Sequence, residues 1–247
     1  MRIVLFSLFG FNVYSHGVFL ILGIVLGATM LYRLAIKEGL KVNSFLTNII
    51  GSVLAGIIAS RILYYLLNLS SYQNIYQLPM LWQGGLVSFA GFIAGGVVFV
   101  FMLKKQGANI PAWANLSGIA FPLALAIGRI GCVLNGEVGK RSKSAIAYYG
   151  HMPITALEIY LGIAIFAINF SLYLYLKKSV PKYLLFFNFI ALYSFARIFI
   201  DAFRADKNLP IGINLSQLTS LVILLIAIFS YSFYYYQTKW RENAPKR

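Results

Sequence analysis

Residues 115–137 read NLSGIAFPLALAIGRIGCVLNGE. From Leu116 to Leu134 the stretch is almost wholly apolar, yet Arg129 stands near its end, followed at once by Cys132, Asn135 and Glu137. About 20 consecutive apolar residues are enough for a helix to cross the hydrocarbon core of a bilayer. Whether this run is such a helix, or the core helix of a water-soluble domain, is decided by the rest of the chain.

The rest of the chain is equally apolar. Of its 247 residues, 60% are hydrophobic and 11% charged, with a mean hydropathy of +0.78. A soluble domain of this size would need a far more charged surface. Seven apolar spans can be drawn, at 14–36, 44–68, 84–103, 115–135, 154–176, 183–203 and 213–236. Lipid offers no partner to open backbone groups, so each span is expected to be a helix. The fold class is therefore an all-α integral membrane protein with seven transmembrane helices. It is expected to form one polytopic domain over 1–247, with residues 1–13 as an interfacial arm and 136–153 as a short outward loop. The N-terminal MRIVLFSLFGF has no clear small-residue cleavage site and is not read as a removed signal peptide.

The net charge of +15 comes from 21 Lys and Arg against six acids. The basic residues lie mostly between the apolar runs, so anionic lipid headgroups, and not nucleic acid, are the expected partners. Lys37 and Lys41, Lys104 and Lys105, Lys177, Lys178 and Lys182, and the tail residues Lys239, Arg241, Lys246 and Arg247 all fall on one side of the seven-span plan. That side is expected to be cytoplasmic, with the N-terminus outside and the C-terminus inside. The outward loop 136–150 departs from this with Lys140, Arg141 and Lys143, which could serve an anionic headgroup or simply form a solvated basic turn. One cysteine and two histidines exclude an internal disulfide and disfavour a metal centre.

Five charged residues, Arg61, Arg129, Glu158, Arg197 and Asp201, fall within or at the ends of spans. Each costs about 2.5–3.5 kcal/mol at a span centre on insertion scales, so such residues usually face a bundle interior or a watery cavity. Arg197 and Asp201, four apart, could simply pair. However, Tyr193, Arg197, Asp201 and Arg204 follow one another at helical spacing along one face. The arginines also outnumber Glu158 and Asp201. A guanidinium surplus in a low-dielectric site calls for an external anion, and the planar fork of Arg suits phosphate. Gly128 and Gly131 would allow tight packing around Arg129. Cys132 reads as a small buried thiol.

These residues resemble those of a known family, the prolipoprotein diacylglyceryl transferases. GRIGCVLNGE is similar to its G-R-I-G-x-x-x-N-G-E signature. Further likenesses follow in order along the chain: YSHGVFLILG; IIASRILYYLL with Arg61 and Tyr64; WQGGLVSFAGFIAGG; MPITALEIYLG with Pro153 and Glu158; YSFARIFIDAFRAD; and INLSQLTSLVILL with Gln217 and Ser220. The resemblance implies transfer of a diacylglyceryl group from phosphatidylglycerol to the lipobox cysteine of a preprolipoprotein signal peptide, with release of glycerol phosphate. It implies no metal or other cofactor, and a site at the outer leaflet of the bacterial cytoplasmic (inner) membrane. It further implies phosphate-binding roles for Arg129 and Arg197 and supporting roles for Tyr193, Asn135 and Glu137. Gly136, Gly139, Arg61, Asp201, Arg204 and Glu158 complete the substrate-binding set.

The chain departs from the family pattern at specific points. The third-span histidine is Ala90, the first-span tyrosine is His16, and the sixth-span glutamate is Asp201. In one account His16 takes over the proton, since imidazole titrates near neutral pH. In the other, the chain is a diverged member that binds phospholipid without thiol transfer or uses another acceptor. A small membrane transporter is the weaker alternative; it would predict inverted-repeat symmetry that the sequence does not clearly carry.

Overall fold

A computed structural model describes residues 4–8, 11–69, 74, 76, 78–80, 85–134, 154–203 and 212–243. Among these described residues seven helices long and apolar enough to cross a membrane follow one another: α1 (Ser15–Lys37), α2 (Phe45–Leu67), α3 (Ser88–Lys105), α4 (Ile110–Leu134), α5 (Ile154–Leu176), α6 (Leu184–Ala202) and α7 (Leu215–Asn243). Large apolar side chains such as Leu20, Ile58, Val97, Phe195, Phe199 and Phe229 are exposed. That surface would be unfavourable in water and is stable against lipid tails. The chain is a multi-pass membrane protein.

The N-terminal arm is more ordered than expected. Strands β1 (Val4–Leu8) and β2 (Phe11–Tyr14) pair antiparallel, with Phe6 opposite Val13 and Leu8 opposite Phe11, and an irregularity between Val4 and Phe6. Val and Phe favour such a ribbon, and α1 begins directly after it at Ser15. The hairpin is a small addition to a helical architecture.

The described residues form two compact units. The first comprises Met1–Leu34 and Pro111–Arg247 and holds β1, β2, most of α1 and the helices from α4 onward. The second, Ala35–Ile110, is built on α2 and α3.

In the second unit, small residues let two backbones touch. A Cβ on Gly95 would come within 2.9 Å of the Ser52 carbonyl oxygen, and one on Gly56 equally close to that of Gly91. Such close approach between apolar helices replaces the hydrophobic drive that lipid removes. Asn48 and Gln106 exchange side-chain amide hydrogen bonds of 2.9 and 3.2 Å across the same pair of helices.

In the first unit α4 carries the core, with Trp113, Leu116, Ile119, Ala120 and Ala126 buried along it. It also contains Pro122. A proline within a helix has no N–H for the carbonyl four residues back, here that of Gly118. Asn169 of α5, fully buried, supplies the missing donor: its side-chain amide reaches the Gly118 oxygen at 2.8 Å and the Leu185 oxygen at 3.0 Å. Asn188 in turn donates to the Asn169 oxygen at 2.6 Å. Asn115 secures the start of α6, accepting from the Leu185 N–H at 3.0 Å and donating to the Pro181 carbonyl at 2.9 Å. In this way α4, α5 and α6 are fixed by buried amides in a medium where unpaired polar groups are costly.

Candidate active site

The first unit gathers its intramembrane charges where α4 ends, α5 begins and α6 ends. Glu158, in the second turn of α5, is the hub. Its side chain is 1% exposed and accepts Arg129 Nε at 2.7 Å on one oxygen. Its other oxygen pairs with Arg197 Nη1. Arg197 Nη2 reaches Asp201, four residues on in α6, at 2.9 Å. Three helices thus contribute to one chain of alternating charge, Arg129–Glu158–Arg197–Asp201. Desolvating four charges is expensive, and only mutual pairing with good geometry offsets it.

The pairing revises the charge count. Among Arg129, Arg197, Glu158 and Asp201, two guanidiniums meet two carboxylates, so the cluster carries no formal surplus. The third cation, Arg61, lies in the other unit and is engaged by backbone. It donates to the carbonyls of Leu78 at 2.8 Å, Met80 at 3.0 Å and Gly85 at 3.1 Å. A buried guanidinium with five fixed donors can gather several carbonyls at once, so Arg61 ties the segment after α2 back onto that helix. What distinguishes the four-charge cluster is the access of its members: the Arg129 side chain is 25% exposed, whereas that of Arg197 is 11% exposed.

The carbonyl end of α6 is held independently of the charges. Asn214 donates its side-chain amide to the Asp201 carbonyl at 2.6 Å, and Gln217 donates to the Ile198 carbonyl at 3.0 Å. The same two residues cap α7 reciprocally: Gln217 N–H to Asn214 Oδ1 at 2.8 Å, and Asn214 N–H to Gln217 Oε1 at 3.1 Å. This Asn/Gln capping box fixes the turn of α6 that carries Asp201. The sequence motif around Gln217 thus has a structural reason.

His16 and Cys132 add a feature that the sequence did not disclose. Nδ1 of His16, at the start of α1, lies 3.5 Å from Sγ of Cys132. Arg129 Nη1 approaches the same sulfur at 4.0 Å from one turn earlier in α4. The Arg129–Cys132 spacing of three was a legible sign of one helical face, but the meeting with His16 was not. Tyr193 is half-buried one turn before Arg197, its ring 5.9 Å from that of Phe189. Asn135, Gly136, Glu137, Gly139 and Arg204, and the basic residues Lys140, Arg141 and Lys143, lie outside the described residues.

Helices long and apolar enough to cross a membrane, three of which, α4, α5 and α6, bring two arginines onto one buried carboxylate, define a polytopic membrane protein with an ionic site among its helices. The chain matches the family model "Prolipoprotein diacylglyceryl transferase" over residues 3–233 and belongs to that family. It is similar to the phosphatidylglycerol–prolipoprotein diacylglyceryl transferase of Clostridioides difficile (strain 630), 29% identical over 92% of this chain and 93% of that protein. It is similar likewise to the proteins of that name from Clostridium tetani (26%, 94% of this chain and 97% of that one) and Staphylococcus carnosus (28%, 91% and 87%).

Proposed function

We propose that the protein transfers the diacylglyceryl group of phosphatidylglycerol to the lipobox cysteine thiol of a preprolipoprotein, releasing glycerol phosphate. Family membership over nearly the whole chain and the names of its relatives support the activity and both substrates. The structural observation that carries the reading is the convergence of Arg129 and Arg197, from different helices, on Glu158. One phosphate placed beside that carboxylate would be within reach of both guanidiniums.

The chemistry then follows from charge. Displacement at the glyceryl carbon breaks its bond to a phosphate oxygen, and negative charge develops on that oxygen. Guanidinium groups already fixed around the site stabilise this charge without reorganising. Arg129, the more exposed, receives the phosphate; Arg197, held between Glu158 and Asp201, is the fixed half of the clamp. The attacking sulfur must first lose its proton, and His16 is the group assigned to accept it. Tyr193, Asn135, Glu137, Gly136, Gly139 and Arg204 complete the binding set by family resemblance. Arg61, which the family resemblance also puts in that set, anchors the segment that follows α2.

Loop charge supports an N-terminus outside, a C-terminus in the cytoplasm, and a site opening to the outer leaflet of the bacterial inner membrane. The test is incubation of purified protein with phosphatidylglycerol and a lipobox peptide, followed by mass spectrometry. The reading predicts a thioether adduct of diacylglyceryl mass. A second reading, a relative that binds phospholipid without thiol transfer, draws on Ala90 standing where the family pattern has histidine. Lipid retained without any adduct would select it.

A further inference from the structure

Cys132 Sγ lies between an imidazole and a guanidinium, and the backbone enforces the meeting. A Cβ on Gly131 would come within 2.9 Å of His16 Cα and 3.0 Å of Phe19 Cβ, so α1 and α4 approach at this level as glycine alone allows. The next residue, Cys132, is 5% exposed and faces the ring. Ser15, immediately before His16, is fully buried, and its hydroxyl has no hydrogen-bond partner among the described residues. His16 itself is exposed. One edge of an accessible ring is therefore anchored on a buried sulfur.

We propose that Cys132 is a positioning residue for His16: its sulfur holds the proton on Nδ1 and leaves Nε2 to accept the proton of the incoming thiol. This rests on the transferase reading above. A neutral imidazole carries one N–H, and the partner of one nitrogen decides the state of the other. Sulfur can donate or accept, but a guanidinium only donates. Arg129 Nη1 donates to Sγ, so the sulfur already accepts on one side, and we place the ring N–H on it as a second donor. Nδ1–H then donates to it, and the lone pair stands on Nε2 across the ring.

The step balances. The S–H bond of the acceptor breaks and its proton passes to Nε2. The thiolate forms a C–S bond at the glyceryl carbon, and the C–O bond to phosphate breaks with its electron pair leaving on glycerol phosphate. The imidazolium, stabilised through Nδ1–H on Cys132, returns its proton to glycerol phosphate or water. From α4 it is Cys132 that meets His16; Arg129 meets Cys132, and Glu158 of α5 links Arg129 to Arg197 of α6.

The experiment uses full-length protein with 15N-labelled histidine in phosphatidylglycerol nanodiscs, His151→Gln assigning the second ring. The imidazole 15N shifts should report the Nδ1–H tautomer for His16 in the native sequence and a shift towards Nε2–H in Cys132→Ala. In parallel, Cys132→Ala should lower kcat roughly tenfold to a hundredfold with KM for lipid and peptide unchanged, and Cys132→Ser should restore part of it. An Nε2–H tautomer in the native protein, or a tautomer and kcat that Cys132→Ala leaves alone, overturns the proposal. If Cys132→Ala does not fold, the native tautomer and Cys132→Ser decide. An adduct formed with the wrong tautomer defeats this inference alone, whereas the right tautomer with no adduct defeats the transferase reading and the base role with it.

Discussion

Glu158 is the residue on which the site turns, because it separates two like charges that would otherwise repel in a poorly solvated interior. Glu158→Ala should therefore destabilise by about 3–5 kcal/mol, as removal of one partner from a buried pair does. Thermal unfolding in detergent checks this; an unchanged midpoint would mean that the arginines do not depend on it. Arg129→Ala and Arg197→Ala should each abolish lipid-dependent transfer while the protein still inserts, and full transfer by either variant would refute its role. Arg197→Lys should not rescue, since one ammonium cannot present the fork that bridges Glu158 and Asp201. At this scale the sequence singled out the charges that the structure gathers into one cluster, because an intramembrane charge is conspicuous. Spacing offered the Arg197–Asp201 pair but not the other partners: Arg61 resembled the other arginines until its backbone partners were seen, and His16 meets Cys132 across 116 positions.

Among the elements, α4 owes its position to a defect that its neighbour repairs. Pro122 leaves the Gly118 carbonyl without an intrahelical donor, and Asn169 of α5 provides one. Asn169→Ala should cost about 1–3 kcal/mol, the penalty for a buried unpaired carbonyl. In a Pro122→Ala background the helix regains its own N–H, so the same substitution should cost less. Equal costs in both backgrounds, by thermal unfolding, would contradict this account. Hydropathy predicted the helices well because the 3.6-residue repeat is irrelevant when every face is apolar and only length counts. It placed the start of α4 at 115 and not at Ile110, because Pro111 and polar neighbours broke the apolar run. Proline is well tolerated in a first helical turn, where no N–H partner is needed. The β1–β2 hairpin was missed for a related reason: its residues registered as an apolar arm, and strand pairing is not visible in mean hydropathy.

For the whole molecule, the account requires that loop charge and site agree on orientation. Single cysteines introduced at positions 107 and 180 should be labelled by an impermeant maleimide from the cytoplasmic face, and one at position 74 from the opposite face. Labelling of 107 and 74 from the same side would break the seven-span plan. The site lies where α1 and α5 begin and α4 and α6 end, which in that orientation is the outer leaflet, where a translocated acceptor thiol would meet a lipid headgroup. The central claim, that Arg129 and Arg197 together hold the phosphate of the donor lipid, is open to direct measurement. Protein with 15N-labelled arginine in phosphatidylglycerol bilayers should show 15N–31P dipolar dephasing of guanidinium signals, diminished in Arg129→Lys and again in Arg197→Lys. Thioether formation with no dephasing attributable to either arginine would contradict it.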